Sequence, residues 1–447
     1  MSVIGQTKEL TSGKALPLLL GFTVPILLGN VLQQFYLLTD SAIVSNFLGV
    51  RQLAAVGAST SITFLILGFC NGCAGGMAIP VAQAFGARDY HSLRKFVFNS
   101  LKLTAVLSLA LALASGLLCR SIIRWINVPS DISEWAWQYL LILFIGIPCS
   151  FFYNLLASLI RSLGDSRTPF MFLVFSTSLN VALDLLFIIV FKWGVAGAAI
   201  ATVVAQGLSA VLCYRFMMKN YDVLWDCPED RKFDMQYCER LLAIGAPMGL
   251  QFSITAIGSI MIQSANNALG TVYVAAFAAG LRIKMLFMCV LESLGIAMTT
   301  FCGQNLGAGK TERVMEGIKA GMLMIVIYCV AAFAFIWPMS DRLAMIFVDS
   351  TDSDIISAAA LYVRVSVVFF FFLGTLCLFR YSIQGLGYTN FAMWSGFMEM
   401  VARTLVSLLL VAPFGYTAVC FADAIAWIAA NLFLVPAFVH VYRKVRG

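Results

Sequence analysis

Apolar residues dominate the chain in runs of about twenty or more, broken by short polar intervals, and that run length is what a helix needs to cross a hydrocarbon layer about 30 Å thick. The runs fall near 15–42, 53–80, 95–118, 134–158, 169–191, 195–218, 237–266, 274–302, 315–338, 357–381, 391–412 and 416–440. Within each the apolar pattern is continuous rather than alternating. It therefore predicts helices and not barrel strands, because lipid obliges every spanning segment to satisfy its own backbone. The first run is preceded by Lys8, Glu9 and Lys14, is too long for a signal-peptide core and is followed by no small-residue cleavage site, so it reads as a retained span. The expected fold class is an all-α integral membrane protein of about twelve transmembrane helices.

The pattern also repeats. At a shift of about 221 residues Pro25 falls on Pro247, and Val81-Ala-Gln-Ala-Phe-Gly-Ala87 falls on Cys302-Gly-Gln-Asn-Leu-Gly-Ala308. Leu163-Gly164 matches Leu386-Gly387 near the same spacing, and Gly194 matches Gly415. The chain accordingly divides into an N-terminal six-helix lobe over 1–219, a polar cytoplasmic linker over 220–236 and a C-terminal six-helix lobe over 237–447. Six is even, so both lobes enter the membrane in the same direction, as parallel repeats with a central cleft expected between them; alternating-access transporters are built this way. Gly68, Gly72 and Gly76, Gly245 with Gly249, and Gly303 with Gly307 have the spacing of close helix packing.

Composition narrows the classes. Hydrophobic residues make up 61% and charged ones 11%, against roughly half and about a quarter in soluble domains. The net charge of +7 belongs to loops: with a cytoplasmic N-terminus most of the 29 Lys and Arg face the cytoplasm, and only Arg51, Arg120, Arg124, Lys192 and Arg342 lie at outer ends. Both termini are therefore expected inside, and nucleic acid is excluded as a partner. The 12 cysteines read as small buried hydrophobes. Cys70-Asn-Gly-Cys73 has no further ligand in reach, since His91 and His440 are the only histidines and lie at span ends, which removes both a zinc site and a histidine relay. Gln304-Asn-Leu-Gly-Ala-Gly-Lys-Thr311 is one residue short of a phosphate loop and follows a membrane helix, so it reads as a helix-end turn. Without a nucleotide site, transport must draw on an ion gradient or on the solute's own. No nucleophile triad or metalloprotease motif is present, so neither an enzyme nor a cofactor is expected.

Ionisable groups inside spans are costly and need a partner or a role. Asp40 lies in the first span, with Gln33, Gln34 and Tyr36 within two turns; Asp184 lies in the fifth with Asn180 one turn earlier on the same face. Thr202 and Gln206 repeat that spacing in the sixth. No cation in the same spans neutralises the two carboxylates. Brought together, they suit Na⁺ or a shared proton. In the second half Glu399 and Arg403 are spaced as a mutually neutralising pair, while Glu292 and Asp423, unpaired in the sequence, and Arg282 and Lys284 either line a cavity or, for the two cations, snorkel. The 36 Phe and 19 Met are compatible with a soft cavity for many ligand shapes.

These residues resemble the multidrug and toxic compound extrusion (MATE) family, in particular its bacterial DinF-like, Firmicutes-type branch. The resemblance is carried by the Pro25 span leading to Tyr36-Leu-Leu-Thr-Asp40, by Leu53-Ala-Ala-Val-Gly57, Val81–Ala87 and Arg161-Ser-Leu-Gly-Asp-Ser-Arg-Thr-Pro169, by Asn180 with Asp184, and by Gly194-Val-Ala-Gly-Ala-Ala-Ile-Ala-Thr202. It implies two lobes around a central cleft in the cytoplasmic (inner) membrane of a bacterium, and export of small amphipathic, cationic compounds by H⁺ or Na⁺ antiport. It implies further that Asp40, Asn180, Asp184 and Thr202 form the proton or Na⁺ site. Gln34, Tyr36, Tyr139, Gln206 and Glu292 are expected at the substrate cavity, and Pro25 as the hinge. The expected state is a monomer surrounded by lipid. The alternative function is a flippase for a lipid-linked saccharide, which Arg282, Lys284, Arg364 and Arg403 would serve.

Overall fold

The structure, a computed structural model, describes residues 9–126, 128–348 and 352–446; Lys8, counted above among the cytoplasmic charges, lies outside them. Among the described residues all regular structure is helical. The elements of the first half are α1 (Ala15–Leu48), α2 (Val50–Gly86), α3 (Tyr90–Trp125), α4 (Ser133–Ile145), α5 (Ile147–Ser162), α6 (Arg167–Leu185) and α7 (Gly194–Asn220). Those of the second half are α8 (Met235–Asn267), α9 (Thr271–Gly307), α10 (Thr311–Ala344), α11 (Ser353–Val368), α12 (Phe370–Gly385), α13 (Thr389–Leu405), α14 (Val411–Phe414) and α15 (Tyr416–Arg446).

Among the described residues ten stretches are long and apolar enough to cross a membrane unbroken, and two bent pairs, each taken as one span, bring the number to 12. The bends fall between α4 and α5 (48°) and between α11 and α12 (51°). The first has a local cause: Pro148, in the first turn of α5, donates no backbone hydrogen bond and cannot continue α4. Gly146 at the same bend lies so close to α7 that a Cβ would stand 2.2 Å from the Val203 side chain.

The chain forms two compact units, and neither is one contiguous stretch. Leu28–Gly249 belongs to the first unit, and Leu10–Leu27 with Leu250–Gly447 to the second. The boundaries fall inside α1 and α8, just past Pro25 and Pro247. In the first unit the start of α8 is bound to α2 through the glycine stripes: a Cβ on Gly72 would meet the Met248 carbonyl oxygen at 2.5 Å, and one on Gly76 the Gly245 Cα at 2.6 Å. In the second unit Leu19, Phe22 and Ile26 of α1 are buried with Phe301 of α9 and Trp427 of α15. The Gln304–Thr311 turn anchors the chain start there, with Gln304 Oε1 accepting from Leu10 N–H at 3.1 Å and Lys310 Nζ donating to the Thr11 carbonyl at 2.8 Å.

The polar stretch after α7 is ordered within the first unit as two 3-10 turns, Asp222–Leu224 and Pro228–Arg231. Arg94 of α3 holds it, through Asp230 at 2.7 Å and the Val223 carbonyl at 3.1 Å. Lys95 binds Asp234 at 2.9 Å, and that hydrogen bond holds the Asp234 carboxyl below the usual carboxylate range. All 12 cysteines are free, and most are buried.

Candidate functional site

Five helices of the first unit converge on one polar layer. On α1 the spacing of Gln33, Tyr36 and Asp40 puts them on one face. On α6, Ser176, Asn180 and Asp184 are each four residues apart and stack the same way. α7 supplies Thr202 and Gln206 from the same spacing, and α2 and α5 supply Asn71, Ser150 and Asn154.

The layer is closed by hydrogen bonds. Tyr36 Oη and Thr202 Oγ1 are 3.2 Å apart, and Thr202 Oγ1 donates to the Ala198 carbonyl at 3.1 Å. The Asn180 amide is oriented with its nitrogen donating to Asp184 Oδ2 at 2.8 Å and its oxygen accepting from Thr202 N–H at 3.0 Å; the reverse orientation would face the amide oxygen with the carboxylate. Behind this layer, one helical turn beyond Tyr36 and Asn180, lie Asp40 and Asp184. Asp184 is fully buried and Asp40 nearly so. Their carboxyls are within hydrogen-bonding reach of one another. Each has one oxygen, Oδ1, without a hydrogen-bond partner among the described residues, and neither forms an ion pair with Lys or Arg there. Two carboxylates at that separation cannot both remain charged in an apolar interior without something positive between them. The arrangement asks for one proton or one cation.

In front of the layer is a cavity of about 130 Å³, lined among others by Gln33, Tyr36, Asn71, Asn180, Thr202 and Gln206. That is room for a few waters or a small cation, well below the roughly 300–1,000 Å³ of drug-sized ligand sites.

Of the residues expected at the ion site, Asp40, Asn180, Asp184 and Thr202 are brought together. Of those expected at the substrate cavity, Tyr36 and Gln206 line this cavity, and Ser150 donates to Gln206 Oε1. Gln33 lines it instead of Gln34, because Gln34 is about 100° further round α1. Tyr139 is an electrostatic neighbour of Tyr36, Asp40 and Asp184 but packs with Ile43, Val44 and Ile188 rather than lining the space. Glu292 belongs to the second unit, where its charged neighbour is Arg380. Asn71, Ser150 and Asn154 were not singled out in the sequence; neutral polar residues are common in apolar spans, and only the four-residue spacing of Ser150 and Asn154 was available as a signal.

The second unit carries a buried chain of opposite charges. Arg380 pairs with Glu399, whose other oxygen is 3.4 Å from Arg403; Arg403 Nε is 2.9 Å from Asp423, and Asp423 pairs with Lys284. Tyr362 Oη accepts from Lys284 at 2.6 Å and donates to Asp423 at 3.1 Å. Asp423 is therefore paired and Lys284 does not snorkel, while Arg282 is exposed.

Comparison with known proteins agrees with this architecture. The MatE family profile matches residues 25–186 and 247–417, which is most of both halves. The chain is 30% identical over 366 residues to the probable multidrug resistance protein YpnP of Bacillus subtilis, covering 82% of this chain and 81% of that one. It is 29% identical over 339 residues to the probable multidrug resistance protein YoeA of the same organism, covering 74% and 73%. A solved outward-facing multidrug resistance MATE family transporter superposes with a TM-score of 0.92 over 99% of this chain and 100% of that one, at 21% identity. Twelve apolar spans in a repeated arrangement and a profile that matches both repeats lead to one conclusion: the chain belongs to the MatE family of membrane transporters.

Proposed function

We propose that the protein is a secondary multidrug exporter of the cytoplasmic membrane, with both termini cytoplasmic, in which one H⁺ or Na⁺ at the Asp40–Asp184 pair is exchanged for a small amphipathic, cationic organic compound by alternating access. The observation that carries this reading is the pair of buried carboxyls, each with an oxygen that has no partner and neither paired with a Lys or Arg among the described residues. For Na⁺ the oxygens of Asp40, Asp184, Asn180, Thr202 and Tyr36 are the available hard donors. For H⁺ the two carboxyls suffice. The cavity before Thr202 and Asn180 is sized for the ion's path rather than for the exported compound. The names of YpnP and YoeA support multidrug substrates. Occupation by ion and by substrate lower each other's affinity, and that coupling is reciprocal. Bending of α1 at Pro25, beside the unit boundary, is the proposed hinge. The flippase reading is not favoured: of its four cations Lys284 and Arg403 are held by Asp423 and Glu399 and Arg364 is paired with Asp341, which leaves the exposed Arg282.

The test is efflux of a fluorescent organic cation from proteoliposomes under separately imposed H⁺ and Na⁺ gradients. Asp40→Asn and Asp184→Asn should each abolish gradient-driven efflux, a loss of at least about tenfold for removing one charged partner. Efflux unaffected by either substitution would refute the first-unit ion site.

A further inference from the structure

The buried cations of the second unit are each held by a carboxylate: Lys284 by Asp423, Arg380 by Glu399, and Arg403 by both. Arg161 of the first unit, in the last turn of α5, is not. Among the described residues it enters no ion pair, and the hydrogen bond of its guanidinium runs from Nη2 to Ser158 Oγ at 2.8 Å. The nearest carboxylate along the chain, Asp165, is engaged at the start of α6, where Oδ1 accepts from the Arg167 and Thr168 N–H groups, both at 3.0 Å, and Oδ2 from Tyr221 Oη at 3.4 Å.

A long cation at the end of a span can extend its charged head to water. Arg161 points the other way. The bond to Ser158 draws the guanidinium back along α5, where its electrostatic neighbours are the buried Tyr153 and Cys213. Tyr153 lines the cavity, as do Ser150 and Asn154 of the same helix. Ser150, Asn154, Ser158 and Arg161 follow at steps of four, four and three residues, so one polar face of α5 runs for about 16 Å from the cavity to Arg161. The order of these groups can be read along α7. Thr202 is bonded to Asn180, one turn from Asp184; Gln206 accepts from Ser150; and Cys213, two turns further, neighbours the guanidinium. The polar interior of the first unit therefore has the carboxyl pair at one end and an unpaired positive charge at the other.

We infer that Arg161 is an electrostatic stop for the coupling ion: its guanidinium, held beneath the cavity by Ser158, repels any cation that moves from the cavity along the α5 face, so that no H⁺ or Na⁺ crosses the first unit without the conformational change of transport. One fixed charge is enough to exclude protons and cations from a narrow polar path. The charge works here because no carboxylate neutralises it and because its hydrogen bond fixes it on the cavity side of the helix end. The inference rests on the proposed ion site at Asp40 and Asp184, since a stop has a function only where a cation enters. Arg161 is thus a specificity-determining residue for coupling, and it touches neither the ion pair of carboxyls nor the Thr202–Asn180 layer.

The experiment measures uncoupled ion entry into proteoliposomes of the full chain without any organic substrate, at clamped membrane potential, using radioactive sodium for Na⁺ and an enclosed pH dye for H⁺. Arg161→Gln should raise the entry of one of the two ions on the order of tenfold, the effect of removing a like charge within about 10 Å at an effective dielectric constant of about 20. Arg161→Lys, which keeps the charge, should stay near the native rate. Ser158→Asp, which keeps the guanidinium and sets a carboxylate against it, should raise entry as Arg161→Gln does. A folded Arg161→Gln no leakier than the native chain would overturn the inference, as would an Arg161→Lys that leaks equally, because a merely structural role does not follow the charge. If Arg161→Gln does not fold, Ser158→Asp decides by the same criterion. Adding Asp40→Asn/Asp184→Asn to Arg161→Gln should abolish the extra entry; extra entry that survives would uphold the stop and count against the ion site. Conversely, no extra entry in Arg161→Gln together with lost gradient-driven efflux in Asp40→Asn and Asp184→Asn would overturn the stop and leave the ion site standing.

Discussion

At Asn180 the carboxylate pair meets the cavity. Its amide hydrogen-bonds both Asp184 and Thr202, so on the proposed function it fixes where an ion held by the aspartates sits. Asn180→Leu keeps the volume and removes the amide. A hydrogen bond to a charged group is worth roughly 1.5–3 kcal/mol, so the coupling-ion concentration for half-maximal transport should rise on the order of tenfold or more, while Thr177→Val, at the cavity rim, should shift it far less. Ion-dependence curves in proteoliposomes measure both. Asp40, Asn180 and Asp184 could be singled out because a carboxylate or amide stands out within an apolar span, and Thr202 by its four-residue spacing from Gln206 and by the family resemblance. The partnership of Lys284 with Asp423 could not: the two are 139 residues apart, and no local spacing reports a contact of that kind.

Among the elements, α2 and the start of α8 show how glycine spacing becomes packing. The four-residue glycine stripes on both helices let their backbones approach until a Cβ has no room, and at Gly72 the obstacle is a backbone carbonyl that cannot turn aside. Gly72→Ala should therefore cost about 1–3 kcal/mol. Gly57→Ala, on the same helix with nothing within 4 Å of the new Cβ, should be neutral or stabilising by about 0.5–1 kcal/mol. Thermal unfolding of the two variants side by side separates packing from propensity. The apolar runs located all twelve spans, but each helix extends beyond its run, since polar ends continue the hydrogen-bond ladder into the interface region. The break between α4 and α5 could be read at Pro148; the one at Phe369 carries no proline and leaves no comparable mark.

For the whole molecule, the units do not follow the order of the chain. The stretch from Met235 to Gly249 packs in the first unit, through Gly245 and Gly249 on α2, Tyr237 on Phe96 and Leu241 in the apolar core. A fragment over 1–249 should therefore resist limited proteolysis in detergent markedly better than one over 1–234, although the shorter fragment contains all of α1 to α7. Equal susceptibility would mean that this stretch adds nothing to the unit. The halves also differ in chemistry: among the described residues no Lys or Arg pairs with the two buried carboxylates of the first unit, whereas the buried cluster of the second contains Lys284, Arg380 and Arg403.

Length of apolar runs, their even number and their repetition are properties of the chain itself, because the bilayer sets the span length and a repeat leaves its landmarks in order. Those properties sufficed for an all-α membrane protein in two related halves and for the first-unit carboxylates. Which carboxylate meets a cation was decided only by tertiary structure. Burial costs and ion pairing depend on side chains from helices far apart in the sequence, and at those distances a one-dimensional pattern carries no information about who stands beside whom.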